Sequence, residues 1–158
     1  MKYTAAAIMA AFFLSGCGAD SEDSDVSTLA VFDSSRCGTG LEVDASGDYL
    51  ITDTGEELKI KTSGAGVSVE IVGTGHKVCV DGNLTALTLT DGSGSDVWVS
   101  GSVSGVNVSG SGHDVYVFGD AGTVVVSGSG NDVYAGSVQS VDVDGAGNDV
   151  EDIENYQD

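Results

Sequence analysis

The stretch GSGNDVYAG, from Gly128 to Gly136, is a two-glycine turn running into an alternation of apolar and polar residues, and the chain repeats it. In register the units read VGTGHKVCV, DGSGSDVWV, SGSGHDVYV, SGSGNDVYA and DGAGNDVED, with their second glycines at Gly75, Gly94, Gly112, Gly130 and Gly147. The period is about eighteen residues. Between these units lie NLTALTLT, GSVSGVNV, FGDAGTVVV and GSVQSVDV, each another short alternation. One period therefore contains two strands of different type.

Strict alternation sends one set of side chains to each face of a strand. In the first type the inward pairs are Val78/Val80, Val97/Val99, Val115/Val117 and Val133/Ala135; in the second they are Leu87/Leu89, Val106/Val108, Val124/Val126 and Val141/Val143. The pattern continues upstream less cleanly, through Leu41/Val43, Tyr49/Ile51, Leu58/Ile60 and Val69/Ile71, making about six rungs. Valine is β-branched and small enough for a thin two-walled interior. No helix-forming run interrupts the pattern. The fold class expected is all-β: a single β-solenoid or β-roll of about 18-residue rungs with two short strands each. An antiparallel sandwich would not need identical turns in fixed register.

The start, MKYTAAAIMAAFFLSGC, has one lysine and an apolar run too short to span a bilayer, the pattern of a secretory signal. Leu14-Ser15-Gly16-Cys17 resembles the lipobox of bacterial lipoproteins, which implies cleavage before Cys17 and lipidation of its thiol. In such lipoproteins an aspartate after the lipid cysteine tends to mean retention at the inner membrane; Gly18 here favours the outer membrane. The expected organisation is a signal peptide over 1–16, a lipid-anchored acidic tether over 17–35, the solenoid over 36–153 and a tail over 154–158.

Net charge is −20, and the only basic residues beyond the signal are Arg36, Lys59, Lys61 and Lys77. Nothing here could replace the counterions of a nucleic acid, which excludes that partner class. With Cys17 assigned to lipid, Cys37 and Cys79 form an even pair in an oxidising compartment, so a disulfide is the expectation. Zinc would want closer cysteine spacing.

Units of the form G-S-G-N-x-V-x-V, at Gly128 to Val133 and Gly145 to Val150, resemble the bacterial secreted family of domain of unknown function 3060, over roughly residues 62 to 150. The resemblance implies a secreted β-solenoid and leaves activity open. A second resemblance is to the haemolysin-type calcium β-roll. Asp96, Asp114, Asp132 and Asp149 stand where its nonapeptide places the aspartate, which would make them calcium ligands. Three departures weigh against it: valine directly follows each aspartate, so the faces are exchanged; the second strand type carries no such aspartate; and Lys77 replaces the aspartate of the first unit. The alternative is that each aspartate caps its own turn.

Trp98, Tyr116 and Tyr134 occupy one outward slot on successive rungs, an aromatic ladder that either contacts an envelope glycan or protein or packs upon itself. His76 and His113 share a turn column with Ser95 between them, two rungs apart and too distant for one zinc ion. The serines lie in glycine turns without a supported base, which disfavours nucleophilic catalysis. The sequence thus predicts a non-enzymatic protein of the bacterial cell envelope, anchored to the membrane by lipid and needing no cofactor. Its alternative is a calcium-binding β-roll whose folding depends on the ion.

Overall fold

The computed structural model describes residues 32–155; the expected signal peptide, Cys17, the tether as far as residue 31 and residues 156–158 lie outside them. The chain winds into a parallel β-solenoid of about six turns. Its strands are β1 (Leu41–Ala45), β2 (Tyr49–Ile51), β3 (Glu57–Thr62), β4 (Ser68–Val72), β5 (Lys77–Asp81), β6 (Leu84–Thr90), β7 (Asp96–Val99), β8 (Val103–Ser111), β9 (Asp114–Ser129), β10 (Asp132–Val143) and β11 (Asp149–Asp152). One wall stacks β1, β3, β5, β7, β9, β10 and β11; the other stacks β2, β4, β6, β8 and the later halves of β9 and β10. In the last two full rungs the two expected strands are thus joined into one, which bends round the corner between the walls. In β10 the register shifts at that corner, between Ala135 and Ser137.

Equivalent inward residues stack in columns, and from Leu58 onward the spacing tightens along the chain. Twenty residues separate Leu58 from its partner Val78, nineteen separate Val78 from Val97, and eighteen separate Val97, Val115 and Val133 in turn. The longer early rung accommodates the exposed corner Ser63-Gly64-Ala65-Gly66. Between the walls lies an apolar core of Val78, Val80, Val97, Val99, Val106, Val108, Val115, Val117, Val124 and Val126 with Ile60, Ile71, Leu87 and Leu89, all buried. Burying one such side chain stabilises the fold by about 1.5–3 kcal/mol.

The expected inward pair Val141/Val143 departs from this. Both point along the core column, on Val124 and Val126, yet they are 50 % and 44 % exposed because among the described residues no strand lies above them. Two short 3₁₀ turns, Ser34–Cys37 and Ile153–Asn155, also go beyond the all-strand expectation. In the first, Asp33 accepts the Ser35 N–H at 2.8 Å, satisfying a donor that the turn leaves open. Cys37 and Cys79 are joined in a disulfide, which ties that turn to the outer face of β5.

Candidate functional site

Two adjacent columns on the outer face of the first wall hold most of the side chains that could carry chemistry. One runs Glu57, Lys77, Asp96, Asp114, Asp132, Asp149 across β3, β5, β7, β9, β10 and β11. The other runs Glu42, Lys59, Cys79, Trp98, Tyr116, Tyr134, Glu151. Because each aspartate is followed by an inward valine, it shares its face with the aromatic residue two positions later.

The aromatic rings stack face to face. Trp98 and Tyr116 have centroids 5.8 Å apart and Tyr116 and Tyr134 have theirs 5.2 Å apart, both with planes inclined by 6°. The strand spacing imposes this, and each such pair contributes about 0.5–1.5 kcal/mol beyond its burial. The ladder is largely covered: Trp98 and Tyr116 are each only 7 % exposed, and Tyr134 is half-buried. They form a cluster with the Cys37–Cys79 disulfide, Phe32, Phe118 and Ile153. Phe32 meets Phe118 edge-on at 5.6 Å. Little of the ring surface therefore remains for a ligand to touch.

The aspartates are partly desolvated. Asp96, Asp114 and Asp132 are half-buried, and Asp149 is exposed. Burial pushes the carboxyl of Asp96 above its ordinary value, against the opposing pull of Lys77 and His113. Burial likewise raises Asp114, with repulsion from Asp96 and Asp132 adding to it, and raises Asp132, with repulsion from Asp149. Asp149 accepts a hydrogen bond from the Val150 N–H at 2.9 Å. Among the described residues no group of three or more His, Cys, Asp or Glu side chains converges on a point where one metal ion would sit. Any cation held here would lie along the column, between neighbouring rungs.

The corner is held by the residue just before each aspartate, which corrects the expectation that the aspartates cap their turns. Glu56 N–H donates to His76 Nδ1 at 3.4 Å, His76 N–H to Ser95 Oγ at 3.2 Å, Ser95 N–H to His113 Nδ1 at 3.2 Å, His113 N–H to Asn131 Oδ1 at 3.0 Å, and Asn131 N–H to Asn148 Oδ1 at 3.0 Å. His76, Ser95, His113 and Asn131 are fully buried. Asn131 Nδ2 donates back to the carbonyls of Ser127 and Gly110, and Asn148 Nδ2 to those of Asp144 and Gly128. The imidazole of His113 is turned inward as well, its Nε2 buried against Gly110 and within the influence of the Asp91 backbone. Since Nδ1 accepts, the ring is neutral with its proton on Nε2. Burial holds the His113 pKa below the ordinary imidazole value, His76 adding to the effect, while the Asp91 carbonyl and Asp96 oppose it.

The sequence pattern placed His76 and His113 in one column but did not reveal this ladder. Its signal was a column of His, Ser, His, Asn, Asn, residues that share only a side-chain acceptor one or two bonds beyond Cβ.

Residues 108–157 match the family described as protein of unknown function (DUF3060). The matched segment takes in the later half of the solenoid, where the rungs are most regular. Upstream, Lys77 stands in the aspartate column and Cys79 in the aromatic one, and the rungs from β3 to β5 and from β5 to β7 are longer. No curated protein and no solved structure matches the chain.

Proposed function

We propose that this chain is a non-enzymatic module of the bacterial cell envelope, anchored by lipid on Cys17 and serving as a rigid structural or binding element held off the membrane by its acidic tether. The outer membrane is the favoured location, on the strength of Gly18 after the lipid cysteine. The observation that carries the non-enzymatic part is the corner ladder. The chain has two histidines, and the Nδ1 of each accepts a backbone N–H, so neither is placed to act as a general base there. Several acyl chains, at about 0.8 kcal/mol per buried methylene, are enough for stable anchoring.

Labelled palmitate and membrane fractionation test the anchor. Wild-type chain is expected in the membrane fraction carrying label, and Cys17→Ser in the soluble fraction without it. Label that persists in Cys17→Ser overturns the assignment.

A second reading, calcium binding, is favoured by one observation: four consecutive rungs place Asp96, Asp114, Asp132 and Asp149 side by side, and three of them have carboxyls raised by burial. Unit charges stacked at about 4.8 Å repel by about 0.9 kcal/mol per pair in water, and a divalent cation would relieve this. Circular dichroism with chelator and then millimolar calcium decides it. A gain in strand signal and melting temperature with the ion supports it; identical curves remove it.

A further inference from the structure

The C-terminal end of the solenoid is stepped. On the first wall β11 covers Asp132–Ala135 of β10, but on the second wall the later half of β10, Ser137 to Val143, is paired with β9 alone. Among the described residues no strand after β11 returns to that wall. The chain turns into the Ile153–Asn155 3₁₀ turn, and Ile153 is buried in the aromatic cluster on the first wall. The step is therefore one strand deep. In a parallel strand the N–H and C=O groups of alternate residues face opposite neighbours, so half of those in Ser137–Val143 have no strand to bond among the described residues. Val141 and Val143, which head the core columns of Val124 and Val126, are half-exposed there.

We infer that Ser137–Val143 is a docking edge for one extended segment of another protein, apolar where it meets Val141 and Val143 and carrying lysine or arginine between those positions. This deepens the reading of the chain as a binding module and rests on it. The alternation is set by the wall: apolar residues over Val141 and Val143 continue the core column, while the residue between them lies beside exposed Asp142. The charge is set by the surroundings. Asp142, Asp144, Asp149, Glu151, Asp152 and Glu154 are all exposed at this end, and no positive side chain follows Lys77 in the chain.

A second copy fits less well. Its own open end, β1 and β2, presents two strands at one level, which cannot meet a one-strand step evenly, and it brings the exposed acids Glu42, Asp44 and Asp48 against acids. Strand addition supplies affinity through backbone bonds and specificity through alternate side-chain pockets.

The test uses the full chain and labelled seven-residue synthetic peptides followed by fluorescence anisotropy. One alternates valine with lysine, one alternates valine with glutamate, and one has the composition of the first with its valines contiguous. Hydrogen exchange maps the site. The proposal expects the alternating lysine peptide to bind at least tenfold more tightly than either control, to slow exchange within 137–143, and to lose at least tenfold in affinity to Val141→Lys. That side chain is already half-exposed, and an unchanged dichroism spectrum verifies that the variant folds. Equal binding of the contiguous peptide, or undiminished binding to Val141→Lys, shows simple attraction to acid and overturns it. So does self-association through this edge in sedimentation equilibrium. Failure of all three peptides with a chain that still carries lipid and fractionates with membranes removes the strand site and leaves the envelope assignment standing.

Discussion

The backbone N–H of Ser95 is bonded to Nδ1 of His113, 3.2 Å away on the next rung, while the His113 N–H is bonded in turn to Asn131. One imidazole thus closes a bond that the strand ladders cannot make at the corner. It does so only while Nδ1 is unprotonated.

His113→Asn should therefore keep most of the stability, since Asn131 performs the same task one rung on, accepting the His113 N–H. His113→Leu leaves the buried Ser95 N–H without an acceptor and should cost about 1–3 kcal/mol. Chemical denaturation of the two variants checks the contrast. A leucine variant as stable as the asparagine one would show that the bond contributes nothing.

The pH profile of melting should have two opposed limbs. His113 has its pKa depressed in the folded state, so its contribution is complete above the ordinary value of 6.5 and is lost as pH falls below it. Asp96, Asp114 and Asp132 have theirs raised, so the folded chain takes up protons first, and stability rises again as pH falls towards their ordinary 3.8. Melting temperature should dip in mildly acid solution and recover below it. In His113→Asn the dip should flatten.

Asp114→Asn removes a half-buried charge that is repelled from both sides. At neutral pH it should raise the melting temperature by about 2–5 °C, on the scale of roughly 1 kcal/mol of relief. The gain should vanish near pH 3, where the carboxyl is protonated in any case, and shrink in high salt. Differential scanning calorimetry across pH reads both.

The two glycines of one turn should respond differently to alanine. Gly128 has φ 102° and sits over the Gly110 carbonyl, which a methyl group would strike. Gly130 has φ 65° with no atom within 4 Å of a built Cβ. Gly130→Ala should cost about 1–2 kcal/mol of backbone strain, while Gly128→Ala should cost clearly more because two stacked backbones must separate.

Replacing Cys37 and Cys79 by serine opens a link spanning 42 residues and should cost about 4 kcal/mol on the loop-entropy model. Because the link holds the Ser34–Cys37 turn beside Trp98, tryptophan fluorescence should shift to the red before the strands melt.

The walls were legible in the sequence because alternation is a local property: Val97 and Val99, or Val124 and Val126, declare their side by spacing alone. What covers the aromatic ladder was not. Cys37 and Ile153 come from short turns at opposite ends of the described chain and Phe32 from just before the first of them, and no periodicity links them to Trp98 or Tyr116. The half-exposed state of Val141 and Val143 was hidden for a related reason, since a repeat announces its register but not the rung at which stacking stops. The aspartate column was read correctly as a stack and wrongly as the turn cap. Asp96 and Ser95 are neighbours with opposite directions, and alternation alone does not say which of them the corner employs.

The corner ladder also makes the number of rungs adjustable. Each link joins a backbone N–H to the side chain at the equivalent position of the following rung, so adding or deleting one whole period leaves every remaining link of the same kind. The rod would grow or shrink by about 4.8 Å, with its cross-section and its two outer columns unchanged. Shorter insertions are absorbed outside the ladder, whose successive links already lie between twenty and seventeen residues apart. Such a chain behaves as a ruler with discrete marks, whose reach can change by duplication without the core being rebuilt.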